Sequence, residues 1–291
     1  MDANTAVVTD TTAYLPDELV AEHGIHLISL YVTLDGEQRR ESEISAADYD
    51  DFFERLRRSS EGATTSQPSV GDFIALYEPL LAEGREIISV HISSGISGTY
   101  DSALQARQQL LDSGAGGERI YVWDSRTGCG GQGMMTLVAA RISAAGGSGA
   151  EALAAVEHAR ESLKMWFSID TLEYLRKGGR IGSAQAWLGS ALQIKPILTL
   201  EEEITPVERV RTRRRAFERL VEFARERKKA GAGAWVVQHI HDPDTARGLV
   251  DECRQIFGTD PVFVSEVGPV IGAHVGPGLL GCGGIQTELL S

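Results

Sequence analysis

The chain has 291 residues, 42% of them hydrophobic, and a formal charge of -13. That length can build one large or two modest cores without a metal or disulfide staple. The acidic balance argues against a nucleic-acid surface, which draws its affinity from clustered Lys and Arg.

No apolar run reaches the roughly eighteen residues of a membrane helix, and the opening Met1-Asp2-Ala3-Asn4 lacks the basic and apolar regions of an export signal. Cys129, Cys253 and Cys282 are sparse and odd in number, which fits a reducing cytoplasm better than a disulfide framework. The expectation is a soluble cytoplasmic protein with no membrane span.

Along the chain, residues 5–10 read as a short buried strand that turns at Thr11-Thr12. Pro16, followed by Asp17 and Glu18, suits the first turn of a helix to Glu22, because proline lacks the N–H that would go unused and carboxylates favour the positive helix end. Residues 25–34 supply strand material, and 45–58 have the apolar spacing of an amphipathic helix. Ser69 and Asp72 form a capping box ahead of a helix to Ala82. Strands are predicted over 86–92 and 120–124. Each leads through a Ser- or Gly-rich turn into a helix, one over 99–111 and one through 145. This rhythm predicts an α/β fold with a parallel sheet covered on both faces. Gly146-Gly147-Ser148-Gly149 breaks the helices, and a helix over 152–163 leads into a second unit.

In that unit, 194–200 and 204–208 read as adjacent strands. Pro196 and Pro206 suit edges or bulges, since proline cannot donate to a ladder. A long helix spans 212–229, a strand 235–239, and Asp242-Pro243 opens a helix to 257. Residues 262–264 and 270–274 complete a smaller α/β unit.

Four segments carry chemistry. Thr64-Thr65-Ser66-Gln67-Pro68-Ser69 and Ser93-Ser94-Gly95-Ile96-Ser97-Gly98-Thr99-Tyr100 both precede helices, so hydroxyls and free N–H groups would converge where an anion is held. Read locally, the same serines and threonines cap helices or form turns. Neither a Walker lysine nor a Gly-x-Ser-x-Gly elbow is present. His91 suits a core or lining position. Leu175-Arg176-Lys177-Gly178-Gly179-Arg180-Ile181-Gly182 sets three cations around two glycines, and an arginine fork suits carboxylate or phosphoryl oxygens. In Gly272-Ala273-His274-Val275-Gly276-Pro277-Gly278, His274 supplies a neutral donor or a cation near physiological pH.

The dense run Arg209-Val210-Arg211-Thr212-Arg213-Arg214-Arg215 is a solvated helix start or a dock for an acidic protein. His239 and His241 with Asp242 and Asp244 lack a second group to complete a metal set. Cys129 reads as packed, not redox-active. Trp187 and Leu188 suit either a plain core or a ligand tunnel.

Taken together and in order, these motifs resemble the DegV family, with Asp10-Thr11-Thr12 as the opening turn and Ile96 where leucine is usual. The resemblance spans the chain from Asp10 through Gly278. It implies a two-domain fold, with a Rossmann-like parallel-sheet domain over residues 1–160 and a smaller α/β domain over 161–291. It further implies a long-chain fatty acid held non-covalently in a tunnel. Thr65, Ser97, the Gly98 N–H and His274 would meet its carboxylate, with Ser94 a weaker member. Arg180 and His274 would support phosphoryl transfer to that carboxylate by a separate fatty acid kinase, giving an acyl phosphate. Arg176 and Lys177 would lie at the rim or a partner surface. On this reading the bacterial protein is the acyl-binding subunit, with no catalytic residue, metal or cofactor of its own. A lipid sensor or transporter without a kinase, and an esterase or acyl-transfer enzyme using Ser97 and His274, are the alternatives.

Overall fold

A computed structural model describes residues 4–188 and 194–290. Residues 1–3, part of the opening segment on which the export expectation rests, lie outside the described residues.

In chain order, β1 (Thr5–Asp10), α1 (Asp17–Glu22), β2 (His26–Ile28), β3 (Tyr31–Leu34), β4 (Glu37–Arg40), α2 (Tyr49–Arg58) and β5 (Thr64–Ser66) come first. Next are α3 (Val70–Ala82), β6 (Glu86–His91), α4 (Thr99–Asp112), β7 (Ile120–Asp124), α5 (Cys129–Ala144) and α6 (Gly149–Ser162). The second half runs β8 (Lys164–Ser168), α7 (Glu173–Lys177), β9 (Lys195–Glu201), β10 (Glu203–Val210), α8 (Arg213–Lys229), β11 (Ala232–His239), α9 (Pro243–Phe257), β12 (Phe263–Glu266), α10 (Pro269–Val275) and β13 (Leu280–Gln286).

Strands β2-β1-β6-β7 form an all-parallel sheet. A six-stranded mixed sheet has the order β10-β9-β8-β13-β11-β12, and β4-β3-β5 make a small antiparallel sheet. The two large sheets stack in five layers. Ala6, Val8 and Ile87 meet α3 and α4 on the outer face of the parallel sheet. Val7, Ile88 and Val90 on its other face meet α5 and α6, which also pack on Ala234, Val236 and Ile285 of the mixed sheet. Strand alternation turns Trp235, Val237, Leu280 and Cys282 the opposite way, onto α8 and α9. The parallel sheet, covered on both faces, therefore consists of short apolar strands.

The inner layer works because α5 starts almost without side chains. Its first turns read Cys129-Gly130-Gly131-Gln132-Gly133. A methyl group at Gly130 would lie 2.8 Å from Gln238 Oε1, and one at Gly133 would lie 2.9 Å from Phe263 Cζ and 3.1 Å from the Ala13 carbonyl. Elements from both halves of the chain thus press on one glycine-rich helix.

Several predicted elements shift for physical reasons. The 25–34 run splits into β2 and β3, which join different sheets, and Thr11 Oγ1 takes the Leu30 N–H at the break. Thr65, expected in a loop, lies on strand β5 opposite Val32. Helix α6 begins earlier than expected because Ser148 and Glu151 form a second capping box. Pro206 does stand beside a register shift on the edge strand β10. Pro196, by contrast, opens the inner strand β9, where its missing N–H precedes the β8 pairing at Ile197 and Leu198. Residues 270–274 are helical, in α10, and the last ladder strand is β13.

In an exposed helix interior Gly→Ala gains about 1 kcal/mol. Gly133→Ala should instead lose about 1–3 kcal/mol, because the methyl must displace Phe263 or the backbone at Ala13. Urea unfolding measures this, and a neutral or stabilising result would show slack between the layers.

Candidate functional site

Strands β1 and β6 end together at a buried carboxylate. Asp10 accepts from Thr12 N and Ile92 N, each at 3.1 Å, and lies 3.0 Å from His91 Nδ1. Burial opposes its charge, yet His91, Thr12 and Ile92 hold its pKa below the usual value. Ser93 follows directly, so this node sets where the serine turn leaves the sheet. The C-terminal ends of parallel strands are the expected place for a ligand. His91 Nε2 also lies 2.7 Å from Ser89 Oγ, which lies 2.7 Å from Tyr77 OH. The Ser-His-Asp order resembles a hydrolytic triad, but Ser89, His91 and Asp10 are all 0% exposed, so the chain braces the core.

A second buried carboxylate seats α10. Glu41 accepts from Val270 N at 2.9 Å, Tyr14 OH at 2.7 Å and Thr11 Oγ1 at 2.7 Å, and the Ile271 N–H donates to Tyr14 OH. Burial raises the Glu41 pKa against the pull of these donors. Fixed at its start, α10 delivers His274 from its last turn, where Nε2 lies 2.7 Å from Thr65 Oγ1. This contact joins residues 209 apart in sequence. His274 Nδ1 is buried without a partner among the described residues. The ring lies against Gly178, where any side chain would collide with Nδ1, and Gly179 turns the chain at φ +69°. Burial, then the nearby Arg180 charge, pushes the His274 pKa down to about 4, so the imidazole is neutral at pH 7.

Arg180 reaches from the basic loop to the serine turn. Its Nε donates to the Ile96 carbonyl at 3.2 Å and its Nη1 to the Gly178 carbonyl at 2.8 Å. Ser97 Oγ lies 2.9 Å from Thr99 Oγ1, and Gly98 heads α4 with its N–H free of an acceptor among the described residues. The Gln67 amide packs on Gly98, where a methyl group would lie 2.9 Å from Nε2. Ser94 stands apart. It donates to Asp124 Oδ2 at 2.6 Å and does not line the cavity described next.

Thr65, Gln67, Ser97, Arg180 and His274 surround one end of an apolar cavity. Its walls come from both halves of the chain. Ile204, Leu200, Phe167 and Gly281 belong to successive strands of the mixed sheet, Ile271 and Val275 to α10, and Ile92 and Gly128 to the ends of the parallel sheet. Ile96 is also an apolar lining residue. The outer side of the Thr65–His274 pair faces a separate open groove that includes Arg57, Lys177 and Arg180. None of these three cations has an ion-pair partner among the described residues.

The remaining sequence signals fall elsewhere. The 209–215 run is largely neutralised, with Arg213 on Asp170, Arg214 on Glu218 and Arg215 on Glu218 and Glu222. Arg209 covers the Trp187 ring at 5.3 Å. Trp187 and Leu188 pack on the core beside the cavity without lining it. Cys129 does line it, and burial pushes its thiol pKa up. His239 accepts from Asp242 N, whereas His241 pairs with Asp50. Sequence reasoning missed the Gln67 and Gln238 amides at the cavity wall, because an uncharged glutamine carries no spacing signal.

Chemically, the cavity end offers hydroxyls and a neutral imidazole beside a guanidinium; Gly98 follows the lining residue Ser97 but does not itself line the cavity. Donors of this kind are suited to an anion. A nucleophilic serine needs a base on it and a group orienting that base, but Ser97 is bonded to Thr99, and His274 is bonded to Thr65.

His274 also predicts a pH response. Unfolded, it takes its proton near 6.5; folded, only near 4. Between those values the unfolded state binds more protons, so this contribution is complete above pH 6.5 and is lost as pH falls toward 4. Between pH 7 and 5 the loss should be on the order of 2 kcal/mol. Urea melts at both values should show His274→Gln flattening this acid limb; an unchanged slope would refute the assignment.

The sequence matches the profile described as "Uncharacterised protein, DegV family" over residues 4–287. Protein DegV of Bacillus subtilis is 38% identical over 281 residues, covering 96% of this chain and 98% of that one. A DegV domain-containing protein of Streptomyces coelicolor is 39% identical over 285 residues, covering 97% and 98%. Among solved structures, DegV of B. subtilis, described as a fatty acid binding protein, superposes with a TM-score of 0.86 at 36% identity, covering 98% of this chain and 99% of its own. A DegV family protein of Thermus thermophilus, described for its fatty acid binding, gives 0.83 at 34% identity, with 97% and 99% covered. The same five-layer fold and whole-length similarity place this chain in the DegV family.

Proposed function

We propose that this protein binds a long-chain fatty acid non-covalently and presents its carboxylate to a separate fatty acid kinase for acyl phosphate formation. The carrying observation is the polarity of the cavity. Its walls are largely apolar, and the anion-holding groups gather at one end. The fatty acid binding of the two solved relatives supports the same ligand class.

On this reading the acyl chain fills the cavity, and each buried methylene contributes about 0.8 kcal/mol. The carboxylate accepts from Thr65, Ser97 and the Gly98 N–H, with His274 and Arg180 alongside. Ser94, held by Asp124, serves the turn and not the ligand. The open groove beyond Thr65 and His274 favours the kinase reading over a sensor or transporter. Its unpaired Arg57, Lys177 and Arg180 suit an incoming phosphoryl group. Ser97 without a base disfavours the esterase alternative. The protein supplies the acyl acceptor and the kinase supplies ATP chemistry.

Native mass spectrometry of protein made in bacteria should show an added mass of a few hundred daltons, about that of a long-chain acid. Only apo protein, with no saturable uptake of palmitate or oleate, would sink the carrier reading. Thr65→Ala and Ser97→Ala each remove a charge-assisted hydrogen bond and should weaken binding roughly ten- to a hundredfold. Titration with the free acid and its methyl ester checks that the loss is specific to the carboxylate.

Arg180→Ala and His274→Ala should retain most lipid binding yet lose most acyl phosphate formation with a cognate kinase, ATP and a hydroxylamine trap. Interactions made mainly with the transferring phosphoryl group change rate more than affinity. Wild-type turnover from both variants would remove them from the transfer step, and no acyl phosphate from the wild type across several kinases would favour the sensor or transporter.

A further inference from the structure

We infer that Met165 is the end wall of the cavity and sets the length of acyl chain it takes. The inference rests on the fatty-acid reading above and names its specificity.

The apolar lining residues sort by the core they join. Phe167, Leu175, Leu200, Ile204, Ile271 and Leu279 all pack in the cluster around α10 and the small sheet, at the end of the molecule that carries Thr65 and His274. Met165 lines the same cavity but packs with the interlayer cluster of Met134, Met135, Val138 and Leu163. It is therefore where the cavity meets the close-packed middle layer. Beyond it, Met134 and Met135 are 0% exposed and Leu163 is 1%, so no space continues.

The strand pattern explains why a methionine stops the cavity here. Along β13 the residues facing α5 are Gly281 and Gly283, paired with Phe167 and Met165 of β8. Gly281 lines the cavity, its missing side chain leaving the neighbouring Phe167 Cβ uncrowded. The one missing at Gly283 is filled by the Met165 thioether, whose Sδ a Cβ at 283 would strike. An unbranched thioether with three rotatable bonds adjusts to the end of a chain more readily than a branched residue. The carboxylate is fixed at Thr65 and Ser97, so any extra methylene is pressed against Met165.

The test measures affinities of saturated acids from twelve to twenty carbons on the full-length protein, by displacement of a fluorescent fatty acid. Wild type should gain about fourfold per added methylene until the chain reaches the wall, then lose affinity. Met165→Ala should move that break about two carbons longer, and Met165→Phe about two carbons shorter, while Met165→Leu leaves it near wild type. Equal thermal midpoints for the alanine and leucine variants would exclude a general loss of packing; if the phenylalanine variant does not fold, the alanine shift decides. An unmoved break in Met165→Ala overturns the inference while leaving the carrier reading intact. A wild type that binds no acid of any length overturns the carrier reading itself.

Discussion

Two sheets can close on one helix layer only if that helix lets them come near. The opening of α5 meets this condition with three glycines in its first five positions, pressed by Gln238 and Val236 at Gly130 and by Phe263, Ala13 and Leu15 at Gly133. Glycine is a poor helix former, so propensity argues against this stretch and close packing outweighs it. The same approach brings the C-terminal ends of the parallel strands over the face of the mixed sheet. The cavity is the space left between them.

Two buried carboxylates then translate that frame into a site. Asp10 ties β1 to the start of the serine turn, and Glu41 ties the first half of the chain to the start of α10. An unpaired buried charge is costly, so each carboxylate forces its donors into register. Thr65 and His274 meet because Glu41 seats α10 while pairing with β3 places β5. The His274 ring is held neutral by burial and by Arg180, while the loop that supplies Arg180 also supplies Gly178 as the flat surface behind the ring. One short basic loop thus sets both the electrostatics and the shape of the cavity end.

The division between polar end and apolar walls suits a ligand with the same division. For such a ligand, affinity would grow with buried methylenes, and the proposed role of the hydroxyls is to fix which end faces outward. The proposed transfer by a partner kinase is consistent with the charge on the surface. Among the described residues, Arg57, Lys177 and Arg180 have no ion-pair partner and line the groove outside the Thr65–His274 pair, beside Glu61 and Glu173, whereas Arg213, Arg214 and Arg215 at the start of α8 pair with Asp170, Glu218 and Glu222.

Local signals determined much of this protein. The Ser69–Asp72 capping box, the strand at 120–124 and the helix from Pro243 to Phe257 are legible because caps, short apolar runs and proline act within a few residues. The ordered motifs around Thr65, Ser97, Arg180 and His274 made the family recognisable before any contact was visible. What only the tertiary structure decided involves groups far apart in the chain. The glycine-rich strand β13, the helical state of residues 270–274, Ser94 turning to Asp124, and the amides of Gln67 and Gln238 at the wall all depend on neighbours more than twenty residues away. The contact between Thr65 and His274 is the clearest case. Each residue type is ordinary where it stands in the sequence, and burial against the other half of the chain makes one a bonded hydroxyl and the other a neutral imidazole.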